Sequence, residues 1–114
     1  MILHIANRQQ WEREKLRELY RGDTLESQGF IHSSSPDQII GVANRLFRGK
    51  RGMVLLCIDA EKVREEIRYE GAGEGDRFPH IYGPLNTDAV IQVLEFEPSE
   101  DGTFKLPKEI AHIV

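Results

Sequence analysis

Residues Met53 to Ile58 read MVLLCI, six apolar residues in succession, and this run sets the tightest limit on how the chain can fold. A half-exposed strand needs a polar residue at every second position, and a half-exposed helix needs one every few. The run has neither pattern, is rich in strand formers, and predicts a central strand. Cys57, the single cysteine of the chain, lies inside it and has no partner for an internal disulfide. A buried, inert thiol in a cytoplasmic protein is the expectation. Apolar runs of this length are far too short to cross a bilayer. The N-terminal MILHIANRQQ lacks the basic segment and apolar stretch of a signal peptide, so no membrane association is expected.

Other elements arrange themselves around that strand. Ile2 to Ile5 predicts a first strand, interrupted in its apolar pattern by His4. Asn7 is placed to cap a following helix, with Gln10 in the capping-box position. That helix would turn Trp11, Leu16, Leu19 and Tyr20 to the core and stop at Gly22. A loop over TLESQGFIHS then leads into a second strand at Phe30 to His32. Ser34 or Ser35 before Pro36 predicts the start of a helix, with Ile39, Ile40, Ala43, Leu46 and Phe47 at helical spacing and Gly49 at its end. Asp59 opens a helical turn over AEKVREE, Ile67 to Glu70 reads as a strand, and GAGEGD as a flexible loop. The glycines of that loop have neither the spacing nor the strand-to-helix context of a dinucleotide fingerprint. RFPHIYGPLN is a rigid, proline-punctuated segment. Ala89 to Pro98 alternates as a long strand with Val90, Gln92, Leu94 and Phe96 on one face, and Asp101-Gly102 marks a turn.

Strands outnumber and bracket two substantial helices, which predicts an α+β fold, and 114 residues without repeat or linker predict one domain over 1–114. A net charge of −4 argues against nucleic acid or an anionic membrane as partner.

Three of the four histidines, His4, His32 and His80, fall beside apolar, strand-like stretches. A single histidine so placed is commonly a satisfied structural residue, but three suggest a shared pocket, where imidazole can donate, accept or carry charge. Their spacings match no zinc motif, and no metal site is expected. Ser33, Ser34 and Ser35 precede a helix start. One serine suffices for capping, so the others are free to form, with the backbone N–H groups, a phosphate cradle favoured by the helix dipole. Glu70 ends a strand, where it is either solvated, paired with Arg68 or Arg77, or set in a cleft to steady a developing cation or orient a sugar hydroxyl. His80 and Tyr82 share a side if their segment is extended. Arg45, Arg48, Lys50 and Arg51 cluster at a helix C-terminus and read as a solvated face. No Ser-His-Asp or Cys-His arrangement is legible.

With GFIHSS and FPHIYGPLN as its specific signatures, and LHI, VLL, YE and DG in order around them, nearly the whole chain resembles a bacterial family called domain of unknown function 952. The family shows a cysteine after the second histidine where this chain has Ser33, which argues against a required cysteine nucleophile. The resemblance implies a bent, split β-sheet similar to the ADP-ribosyltransferases, which bind NAD in the cleft of the split. Carried over by position, His4 contacts the ribose, and His32 with Ser33 or Ser34 holds the nicotinamide end. The third place goes to His80 with Tyr82 beside it, or to Glu70 as rival. Two functional readings follow. One is an NAD- or ADP-ribose-processing transferase or hydrolase acting on a small molecule, with NAD as substrate. The alternative is a non-catalytic binding module for a nucleotide or another anionic metabolite. The sequence leaves the acceptor and the oligomeric state open.

Overall fold

In the computed structural model, which describes residues 1–71 and 76–113, the apolar run is strand β4, Met53–Ile58, and all six of its residues are buried. It pairs antiparallel with β1, Ile2–Asn7, on one side and with β8, Val90–Glu95, on the other. Successive side chains leave a strand on opposite faces, so β4 feeds two cores. Val54, Leu56 and Ile58 join Ile2, Ala6, Trp11, Tyr20, Ile31 and Ile81 on one face. Met53, Leu55 and Cys57 join Leu3, Ile5, Ile39, Ala43, Phe96 and Phe104 on the other. Burial pushes the Cys57 thiol up to about 11, so it stays protonated at neutral pH.

Between β1 and β4 come α1 (Arg8–Glu14), β2 (Leu19–Tyr20), α2 (Leu25–Gln28), β3 (Ile31–His32) and α3 (Ile39–Leu46). Between β4 and β8 come β5 (Ile67–Glu70), β6 (Phe78–Ile81) and β7 (Leu85–Asn86). A second antiparallel sheet has the order β3-β6-β5, and β2 pairs with β7. The two three-stranded sheets meet at an isolated antiparallel bridge, where Leu3 and Ser34 exchange N–H···O=C bonds of 2.7 Å in both directions. The fold class is α+β, built of antiparallel sheets with few helices. No helix among the described residues is long and apolar enough to cross a membrane.

Several elements depart from expectation. Asn7 does cap α1, its side chain accepting the Gln10 N–H at 3.0 Å. The helix nevertheless ends at Glu14, and a 3-10 turn follows to Glu18, whose φ of 65° reverses the chain. Tyr20 is therefore buried by a strand, while Leu16 is left 80% exposed. The stretch expected as a loop after Thr24 contains α2, closed by Gly29. The proline-punctuated segment contains β6 and β7. Pro79 fits because alternate residues address opposite neighbours, and its carbonyl accepts the Ser33 N–H at 3.0 Å just beyond the end of the β3 ladder. In β8, Cys57 pairs with Gln92 but Ile58 with Val90, and this bulge at Ile91 moves Val90 to the opposite core from Leu94 and Phe96. The loop expected over GAGEGD lies, at residues 72–75, outside the described residues.

Candidate functional site: a cleft at the split between the sheets

Beyond the Leu3–Ser34 bridge the two sheets diverge, and the space between them is a cleft of about 490 Å³. That size suits a small-molecule site. β1 contributes Leu3, His4 and Ile5, and the β3 end contributes His32, Ser33 and Ser34. Glu70, Phe78 and His80 come from the second sheet, and α3 forms a wall with Ile39, Val42, Arg45 and Leu46. Of the residues expected to form a site, His4, His32, Ser33, Ser34, His80 and Glu70 line this one cleft, and Tyr82 reaches it through Glu70.

His4 lies at the floor, 5% exposed. Its Nδ1–H donates to the backbone carbonyl of His32, so Nε2 is left to accept the Tyr20 hydroxyl at 2.9 Å. A carbonyl can only accept, which fixes the tautomer. Burial lowers the His4 pKa and keeps the ring neutral. Both nitrogens are thus engaged within the protein. The ribose contact expected of His4 has no free ring nitrogen to make it, and the residue instead ties β1 to the end of β3.

His32 and His80 face each other across the β3–β6 register, with ring centroids 5.2 Å apart. His32 donates from Nε2 to Gln28 Oε1 at 2.8 Å, and its pKa is lowered first by burial and then by His80. His80 donates from Nδ1 to Glu70 Oε1 at 2.9 Å, and Tyr82 donates its hydroxyl to the same oxygen at 2.6 Å. These bonds, the tyrosine's first, hold the Glu70 carboxyl below the usual carboxylate range. Phe30 stacks on His80 with centroids 4.2 Å apart, and the Arg68 guanidinium lies 4.2 Å from the Tyr82 ring centre. The sequence offers His80 and Glu70 as rivals; the structure makes them partners.

The serines divide differently from expectation. Ser33 is 4% exposed, and among the described residues its hydroxyl is buried without a hydrogen-bond partner. Ser34 is held by its backbone to Leu3. The regular part of α3 begins only at Ile39, without a side-chain cap, because Ser35 to Gln38 form a separate turn. There the Gln38 side chain accepts the Ser35 N–H at 2.9 Å, and the Ser35 hydroxyl is given to Asp37. Four of the backbone donors in this stretch are spent: Ser33 N–H on Pro79, Ser34 N–H on Leu3, Ser35 N–H on Gln38, Gln38 N–H on Ser35.

Two charged lining residues escaped the sequence reading, as did Thr24 and Gln28. Asp23 lies close enough to act electrostatically on both His4 and His32. Arg45, read as part of a solvated basic face, stands on the cleft wall with Val42 and Leu46. The i, i+3, i+4 spacing of Val42, Arg45 and Leu46 could have shown that these three share a face. No group of three or more metal-binding side chains is gathered among the described residues.

Comparison with known proteins agrees with the family resemblance. The model of the family described as "Protein of unknown function (DUF952)" matches residues 5–93. The chain is similar to the crystal structure of the protein CC0527 from Caulobacter crescentus, at 32% identity and a TM-score of 0.86, covering 96% of this chain and 97% of that one. A double-mutant form of CC0527 gives the same values. The solution NMR structure of CC0527 gives a TM-score of 0.82 at 32% identity, with 97% of each chain covered. No curated protein matches the sequence.

Proposed function

We propose, from the premise that the chain belongs to the family described as protein of unknown function DUF952, that the cleft processes NAD or ADP-ribose by transfer or hydrolysis at the nicotinamide–ribose linkage. The observation that carries this reading is the Glu70 carboxylate, held at the cleft by His80 and Tyr82. Chemistry at a glycosidic carbon builds positive charge on the sugar, and a fixed carboxylate lowers the free energy of that charge. The split of the sheet at Leu3–Ser34 supports the likeness to the ADP-ribosyltransferase fold, which on its own would be an argument by analogy.

The residues present suit such a ligand. The buried Ser33 hydroxyl lacks a partner within the described protein and gains one from a ligand amide or hydroxyl. Glu70 orients His80 by taking its Nδ1–H, which leaves His80 Nε2 as the nitrogen able to take a proton from an acceptor hydroxyl or a water. His32 stands opposite as a neutral donor and acceptor. His4 acts through the His32 backbone and sets the position of the serine behind it. The acceptor in this reading is a small molecule or water, and the protein works in the cytoplasm as one domain. A non-catalytic nucleotide-binding module would keep the same contacts, but it would not call for the oriented His80–Glu70 pair.

Calorimetric titration of NAD and ADP-ribose into wild type, His32→Ala and His80→Ala tests the reading, followed by assay for nicotinamide release. We expect binding by wild type and its loss, by about tenfold or more, in both variants. Release of nicotinamide that Glu70→Gln abolishes marks the enzyme, and binding without release marks the module. A folded wild type that binds neither compound sinks both.

A further inference from the structure

We propose that Arg45 is the anion anchor of the cleft, and that the ligand held there carries a phosphate at the α3 wall while its sugar end lies at Glu70 and His80. The inference rests on the nucleotide-processing reading and adds to it the group that orients the ligand.

The first place to look for a phosphate is the turn before α3, and there the backbone donors of the serines are already engaged. The N–H groups of Ser33, Ser34, Ser35 and Gln38 all have protein acceptors, and Pro36 has no N–H to offer. The three serines thus have only hydroxyl left to offer, without backbone donors of their own to converge on an anion. The rest of the cleft is no better for an anion, because Asp23, in the turn before α2, and Glu70, at the end of β5, both line it with carboxylates. A phosphate between them would meet like charge.

Arg45 is the one Lys or Arg among the described lining residues. It lies six positions beyond Ile39 on α3, about 9 Å along the helix axis, and so stands apart from the serine turn. Its lining neighbours Val42, Leu46 and Phe47 are apolar, so Arg45 is the polar residue of that wall. The planar donors of a guanidinium match two oxygens of a phosphate. The charges come from different elements: carboxylates from the turn before α2 and the end of β5, a cation from α3, with apolar surface beside the cation. A ligand with a sugar at one end and a phosphate at the other matches that layout in one orientation.

The test is calorimetric titration of ADP-ribose into wild type, Arg45→Gln and Arg48→Gln. Arg48 belongs to the same basic segment but does not line the cleft, so its variant removes an equal charge without touching the site. Arg45 is exposed, and both variants should fold, which circular dichroism checks. We expect Arg45→Gln to raise Kd about tenfold or more and Arg48→Gln to leave it within about twofold. Equal affinities in wild type and Arg45→Gln, or equal losses in the two variants, overturn the anchor and leave the nucleotide reading standing. If wild type binds neither NAD nor ADP-ribose, the nucleotide reading falls and inorganic pyrophosphate decides the anchor by itself. Movement of the Arg45 Nε–H resonance on adding pyrophosphate, with Arg48 unmoved, sustains the anchor; no movement removes it.

Discussion

His4 shows how far a single residue can be read in advance. An imidazole inside an apolar strand is conspicuous in the sequence, but its partners are not, because Tyr20 and the His32 carbonyl are 16 and 28 positions away. Arg45 is the opposite case: its residue type does not mark it among its basic neighbours, and only its helical spacing with Val42 and Leu46 sets it apart before α3 is laid against the sheet. The partners of His4 also give it a pH signature. Its folded pKa lies below the ordinary 6.5, so below that pH the unfolded chain takes up a proton that the folded chain refuses. Stability therefore falls as pH drops through about 6.5, by at most about 1.4 kcal/mol per pH unit for one such group. His32, also lowered, acts in the same direction. Glu70 acts in a lower window, its contribution being lost as pH falls below the ordinary carboxylate value of 4.5. We expect the urea midpoint to be level above about pH 7 and to decline between about pH 6.5 and 5. His4→Gln, which can still donate once and accept once, should flatten that decline. A wild-type midpoint level across the same range would mean that His4 charges without cost, against the burial described above.

At the scale of elements, legibility followed length. β4 and β1 carry six residues each and declare themselves by composition. β3, of only two residues, is legible through the apolar Phe30-Ile31 pair before His32. The equally short β2 and β7 have too few residues for any alternation to register, and β6 carries a proline that argues against a strand from sequence alone. The short α2 was missed for the same reason, although Gly29 behind it is the ordinary sign of a helix end. Gly29 has a φ of 88°, and its N–H donates to Leu25 at 2.9 Å, so this one residue closes α2 and sends the chain into the strand that carries His32. Gly41 lies within α3. A Cβ at either glycine meets nothing within 4 Å, so substitution there changes the backbone term alone. Gly29→Ala should destabilise the protein by about 1–2 kcal/mol, the cost of left-handed backbone for an L-residue. Gly41→Ala should stabilise it by about 0.5–1 kcal/mol through helix propensity. Chemical denaturation of the two variants gives the signs directly, and a shared sign would mean that one of these backbones is misassigned.

For the molecule as a whole, the cleft is a consequence of how two sheets are joined. Sequence alone establishes that β4 is interior, and it offers a split sheet through family resemblance. It does not contain the join, since Leu3 and Ser34 are 31 positions apart and neither is unusual in its own neighbourhood. Once made, the join has a mechanical result. Leu3 turns its N–H and C=O to Ser34, and two residues on, Ile5 must turn its own backbone the same way, where the sheets have already parted. β1 is therefore locked along β4 but open along part of its other edge, and that open edge lies in the cleft. Amide hydrogen exchange separates the two edges. The N–H groups of Leu3 and Ser34 should exchange only through global unfolding, whereas that of Ile5 should exchange through local opening, faster by about a hundredfold or more. A ligand seated in the cleft should slow Ile5 and leave Leu3 unchanged, because one amide borders the ligand and the other is already spent on the bridge. Equal protection of Leu3 and Ile5 in the free protein would mean that β1 and β3 stay paired past Ser34, and a closed sheet of that kind has no room for a ligand between its halves.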